Sequence, residues 1–214
     1  TLSDKSANSV AVDIAPVEST TTWDFSDSIG FTQVGTQAPI SGGKIDVGYG
    51  ATDDNSEQYY PLGVTVPDDS WVTYTKFTKV SYTSTTNGLI DCLSDNNDQC
   101  AYDGTGDSIS IISNNKVNPS FILGYNDGGV WSQGSTTADQ STNPMYIKHE
   151  RTSTTQHCIT IYSDPAYTSI VSAELCQTIP STVVGLDTYH MGGLIWTTSS
   201  RAGAFDIDDK KLTY

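Results

Sequence analysis

Cys158-Ile-Thr-Ile-Tyr-Ser-Asp-Pro-Ala-Tyr-Thr-Ser-Ile-Val-Ser-Ala-Glu-Leu-Cys176 is the stretch whose reading decides the fold. Its middle, Ser163 to Ser169, is a turn cluster, because proline fixes its own φ angle and Asp and Ser bond their own backbone. A turn centred near Tyr167 sets Cys158 opposite Cys176, Thr160 opposite Glu174 and Tyr162 opposite Ser172. The other face then collects Ile159, Ile161, Val171, Ala173 and Leu175. Side chains alternate along a strand, so a one-residue slip would turn the apolar set outward and separate the cysteines. The register therefore predicts an antiparallel hairpin braced on its outer side by Cys158–Cys176.

Outward from this hairpin, short runs of alternating character are punctuated by Gly, Asn, Asp and Pro. Strands are expected near residues 30–34, 44–49, 57–64, 71–82, 88–93, 107–112, 119–125, 144–151, 187–196 and 202–213, besides the two of the hairpin. In the long strand from Trp71 to Tyr82 the even positions Val72, Tyr74, Val80 and Tyr82 could form the apolar face, and Trp23 and Trp71 are candidates for the core. No segment reads as a helix, and helix-favouring side chains are scarce: only four glutamates occur, Glu18, Glu57, Glu150 and Glu174. The expected architecture is all-β, a two-sheet antiparallel sandwich.

The 214 residues suit one large β domain, and 36% hydrophobic content is enough for a core at this length. A net charge of −15 argues against nucleic acid or an anionic membrane as partner. No run is long and apolar enough to span a bilayer. The cysteines lack the spacing of a zinc site, and the hairpin register leaves Cys92 to pair with Cys100. Two disulfides imply an oxidising compartment, so the expected location is secreted, extracellular or on a cell surface. The start at Thr1, without Met or a leader-like segment, reads as a mature secreted product or a trimmed chain.

Residues 1–20 read as a tail, with Val10, Val12 and Ile14 at strand period, and residues 21–214 as the sandwich. A strand at a chain end must find an edge. Pairing with a neighbouring copy would give head-to-tail strand addition and a filament; pairing in its own sheet is the alternative.

Several stretches resemble the concanavalin-A-like lectin/glucanase domains of archaeal and environmental surface proteins. They are Leu62-Gly-Val-Thr-Val-Pro-Asp-Asp-Ser-Trp-Val-Thr-Tyr, Leu89-Ile-Asp-Cys-Leu-Ser-Asp, Tyr146-Ile-Lys-His-Glu-Arg-Thr-Ser, Thr178-Ile-Pro-Ser-Thr-Val-Val-Gly-Leu and Asp206-Ile-Asp-Asp-Lys-Lys-Leu-Thr-Tyr. The resemblance covers about residues 22–214 and implies a jelly roll, usually secreted. It also implies a structural calcium ion held by Asp24, the backbone near Gly48, and Asp208; turn or edge carboxylates are the competing reading of those aspartates. The paired carboxylates of the glucanase branch, E-x-D-x-E, are absent, and His149, His157 and His190 have no nucleophile-elbow partner in sequence, so no enzyme is expected.

Glycan binding would use aromatics beside polar side chains. Tyr125, Asn126, Asp127 and Trp131, in a Gly-rich stretch read as a loop, are the candidates. The expectation is thus a non-catalytic extracellular structural or adhesive subunit assembling with copies of itself. A monomeric carbohydrate-binding lectin-like domain is the alternative, and a degenerate glucanase a distant third.

Overall fold

In the computed structural model, residues 18–35, 38–48, 56–82, 86–97, 100, 105–115, 117–196 and 203–214 are described. They form fifteen strands and, among the described residues, no helix. In chain order the first eight are β1 (Thr20–Trp23), β2 (Thr32–Val34), β3 (Ile40–Ser41), β4 (Lys44–Gly48), β5 (Glu57–Pro61), β6 (Trp71–Tyr82), β7 (Thr86–Ser94) and β8 (Ser108–Asn115). The rest are β9 (Ser120–Asp127), β10 (Val130–Thr136), β11 (Met145–Ser153), β12 (Gln156–Tyr162), β13 (Ile170–Thr178), β14 (Thr188–Trp196) and β15 (Gly203–Thr213).

All pairings are antiparallel. The first sheet runs β13-β12-β11-β6-β15-β4-β3, and β1 joins it along β15; the second runs β10-β9-β8-β7-β14-β5-β2. Alternation drives the packing. In β11, Met145, Ile147, His149 and Arg151 are buried while the residues between them are half-buried. Rings meet in the core: Phe77 lies 5.5 Å from Phe121 of the facing sheet and 5.3 Å from Phe205 on the neighbouring strand of its own sheet. Each such fully buried side chain contributes roughly 1.5–3 kcal/mol relative to exposure. The result is the expected all-β jelly-roll sandwich, with both Cys92–Cys100 and Cys158–Cys176 formed.

The hairpin keeps its expected register at the cysteines, where Cys158 pairs with Cys176 and Ile159 with Leu175. Towards the turn it slips twice, so Ile161 meets Ser172 and Tyr162 meets Ile170. Val171 and Ala173 are exposed rather than inside, because both fall at these slips, which set Ser172 opposite inward-facing Ile161. The face of β6 is also reversed from expectation. Trp71, Thr73, Thr75 and Phe77 point inward and Val80 is exposed. The stretch holding Trp131 is a strand, not a loop: Gly128 and Gly129, both at positive φ, make a tight hairpin turn between β9 and β10. Pairing at the chain's beginning reaches back to Ser19, which exchanges two backbone hydrogen bonds with Tyr214, so the body starts inside the stretch read as tail.

Two irregularities place charge in the interior. The β7–β8 register shifts between Leu89 and Asp91, and the β15–β6 register between Asp208 and Lys211. Such bulges re-aim side chains. Here they bring Asp91 and Lys210, both fully buried, to 3.1 Å across the sandwich. Asp91 also accepts hydrogen bonds from Thr73, His149 and Tyr189, and the Lys210 ammonium donates to the Ile90 carbonyl and Tyr189 hydroxyl. A buried charge is tolerated only when paired and bonded in this way.

Candidate functional site

The outward side chains of the first sheet build an aromatic cleft. Tyr146 pairs across the strands with Tyr162, and Tyr74 pairs with both Lys148 and Lys211, so five outward positions from four strands become neighbours. The β12–β13 turn then arches back over them. Asp164 organises that turn, its carboxylate accepting from the backbone N–H groups of Ala166, Thr168 and Ser169 and from the Thr168 hydroxyl. Tyr167 takes a left-handed conformation, φ 55°, that a bulky residue rarely adopts. Strain of this kind concentrates at functional sites. Its ring centroid lies 4.8 Å from that of Tyr74, 5.4 Å from Tyr162 and 6.0 Å from Tyr146, all edge-on.

Beside this cluster lies an open cleft of about 580 Å³, lined by the four tyrosines with Lys148, Lys211, Pro165, Ala166 and Asp209. Lys148 pairs with Glu150 at 2.6 Å, and the Lys211 ammonium lies 5.6 Å above the Tyr74 ring. Burial pushes the Tyr167 phenol up, with Tyr74 and Asp209 acting in the same direction, so it remains a neutral hydroxyl. Ring faces, phenol hydroxyls and an ammonium in one concavity suit a polyhydroxylated ligand that also has an apolar face.

The hairpin residues singled out in the sequence do not form one platform. Tyr125 packs against the main core, Asn126 is buried with its amide donating to Ser108, and Asp127 accepts from Thr182. Trp131 sits over Gly124 and against Leu89, Ile112 and Ile122 on the other side of its sheet. Strand alternation separates Tyr125 from Trp131.

The expected calcium ligands do not all converge either. Asp24 accepts from the Ser26 N–H at 3.0 Å, and Asp208 pairs with Lys76 at 3.1 Å. Gly48 pairs with Ala204, four positions along β15 from Asp208 and so about 13 Å away at ~3.3 Å per residue. Gly48 and Asp208 therefore do not share one ion shell. Among the described residues, the one cluster with metal-ligand spacing is Cys158, Glu174 and Cys176, and both its sulfurs are committed to the disulfide. Val10, Val12 and Ile14 lie outside the described residues.

No protein-family model and no curated protein matches the chain. Solved structures do. The lectin from Bauhinia forficata, in complex with GalNAc, superposes with TM-score 0.61 at 10% identity, over 92% of this chain and 98% of that one. Arcelin-5, a lectin-like defence protein from Phaseolus vulgaris, gives 0.59 at 12% identity over 92% and 97%. A protein of unknown function from Shewanella oneidensis MR-1 gives 0.58 at 15% identity over 94% and 87%. The fold is concanavalin-A-like. At these identities the likeness speaks for the fold alone.

Sequence reasoning placed Tyr167 at a turn but did not find the cleft. Tyr74, Tyr146 and Tyr162 occupy outward positions at strand period, and that is the available signal. Their adjacency depends on the strand order β12-β11-β6-β15, which no local pattern encodes.

Proposed function

We propose that this protein binds carbohydrate as an extracellular lectin-like domain, through the tyrosine cleft over the first sheet. The observation that carries the reading is Tyr167, held at positive φ over three further tyrosines beside a cleft of about 580 Å³. Clefts of ~300–1,000 Å³ with apolar walls and a few fixed polar groups are the usual form of small-ligand sites. Lectin neighbours support this reading over a subunit that assembles by strand addition, and the two disulfides support an extracellular setting. Self-assembly through residues 1–20 is the secondary expectation.

Binding to a panel of immobilised oligosaccharides, compared among the unmodified chain, Tyr167→Ala and Trp131→Ala, tests the site. The expected result is saccharide binding that Tyr167→Ala weakens and Trp131→Ala does not. Absence of saccharide binding, or binding that depends on Trp131 alone, would overturn the assignment to this cleft.

A further inference from the structure

The second sheet carries a different constellation on its outer side. Strand alternation turns Cys92, Ser94 and His190 to that face: Cys92 pairs with His190 across β7 and β14, and Tyr189 and Met191, on either side of His190, belong to the inner core. Ser94 Oγ lies 2.7 Å from His190 Nε2, and His190 Nδ1 lies 3.0 Å from Glu57 Oε1. The other Glu57 oxygen accepts from the Cys100 N–H at 3.3 Å, and Cys100 is tied to Cys92 by the disulfide. A nucleophile within reach of a base, and a base oriented by a carboxylate, is the arrangement that activates a serine hydroxyl.

From this geometry we infer that Ser94, His190 and Glu57 form a hydrolytic site for short-chain, uncharged acyl esters, independent of the saccharide cleft. With the Asn96 carbonyl in place, the Ser94 hydroxyl donates to it and Nε2–H faces both oxygens; once a substrate displaces that carbonyl, the tautomer with Nδ1–H donating to Glu57 leaves Nε2 to accept the Ser94 proton. Ser94 Oγ bonds to the ester carbonyl carbon as its proton passes to Nε2. The C–O bond to the leaving group breaks, and the alcohol departs with that proton. Water then attacks the acyl-serine through the same base, releasing the carboxylic acid and restoring Ser94. Glu57 is a positioning residue.

All three side chains are buried, and Asn96 closes the site: its carbonyl lies 2.7 Å from Ser94 Oγ and 3.1 Å from Nε2. Productive binding therefore requires an acyl group to displace that carbonyl. The Asn96 N–H, 3.4 Å from Oγ, is the candidate oxyanion donor. The neighbouring concavity is only about 230 Å³, and Asp95 and Asp187 at its edge disfavour an anionic substrate. These features select a small neutral acyl group.

The test uses the full chain with 4-nitrophenyl acetate and an alkyl fluorophosphonate. The expected result is one covalent adduct, located on Ser94 by peptide mass, and ester hydrolysis that Ser94→Ala lowers roughly 1,000-fold. Glu57→Gln should also move the rising limb of the pH–rate profile to lower pH, because the imidazolium loses its counter-charge. A purely structural Glu57 would lower the amount of folded protein without moving that limb. The inference is overturned if the unmodified chain takes no adduct at Ser94 on prolonged exposure. It is equally overturned if folded Ser94→Ala hydrolyses the ester as fast as the parent. The first readout needs no variant to fold.

Discussion

Two segments of this sandwich fold back over outer sheet faces, yet they do opposite things. The β12–β13 turn is organised by Asp164 and leaves an open cleft walled by tyrosines. After β7, the Asn96 carbonyl meets Ser94 and His190, the Cys100 N–H donates to Glu57, and all three side chains are buried. In both, one carboxylate collects the surrounding donors. Asp164 does so in water, where its bonds replace equivalent ones to solvent; Glu57 does so out of water, where a lost partner cannot be replaced. Exposure, more than the number of bonds, sets what each carboxylate is worth.

That difference can be broken by mutation. Glu57→Ala should cost about 3 kcal/mol in denaturant unfolding, because it strands buried His190 and the Cys100 N–H. Asp164→Ala should change the unfolding midpoint far less and act mainly on saccharide affinity. Equal losses from the two would refute the contrast. Removing the bridges tests the covalent part: replacing Cys92 and Cys100 together with Ser, or Cys158 and Cys176 together, should cost about 2–3 kcal/mol each. The second pair should cost slightly more, because it closes the longer loop, spanning 18 positions against 8.

Acid sharpens the picture from inside the sandwich. Burial holds His157 well below its ordinary value, so the folded chain refuses a proton that the unfolded chain accepts near pH 6.5. Stability should therefore decline as pH falls through 6.5, by up to about 1.4 kcal/mol per pH unit. Asp91 adds to the decline at lower pH. Burial alone would raise its carboxyl, but Lys210, His149 and Thr73 hold it well below the usual carboxylate range. Its contribution is full above the unfolded value near 3.8 and is lost as pH falls beneath it. Midpoints from thermal melts between pH 8 and pH 3 check both segments; a flat profile would contradict them.

At the cleft, Tyr167→Ala should weaken saccharide binding about 10-fold, read by titration calorimetry, while the protein stays folded. The smallest effect expected is that of a chelator. Since Gly48 and Asp208 do not share a shell, EDTA should leave the melting midpoint unchanged, and a clear drop would reveal an ion held by another donor set.

Much of the fold was legible because β structure writes itself at period two. Cys158 and Cys176 could be paired from alternation and one turn, and the strand ends at β6, β13 and β15 followed from Gly, Asn and Pro punctuation. Alternation alone misjudged β6, since Thr73 and Thr75 look outward by polarity. They face inward because Asp91, carried in by a bulge on the opposite sheet, supplies Thr73 with a partner. The His190 site was illegible for a related reason. Glu57, Ser94 and His190 come from β5, β7 and β14, and nothing local to any of them names the others.

By itself, then, the sequence determined most of the strands, though not β1, β3 or β10, together with the hairpin register at the cysteines and the partners of all four cysteines, since each follows from local periodicity and short-range turns. Tertiary structure alone decided which outward side chains meet, because strand order in a sheet is set by packing between distant segments. It turned Tyr74, Tyr146, Tyr162 and Tyr167 into a cleft, and Ser94, His190 and Glu57 into a hydrogen-bonded line.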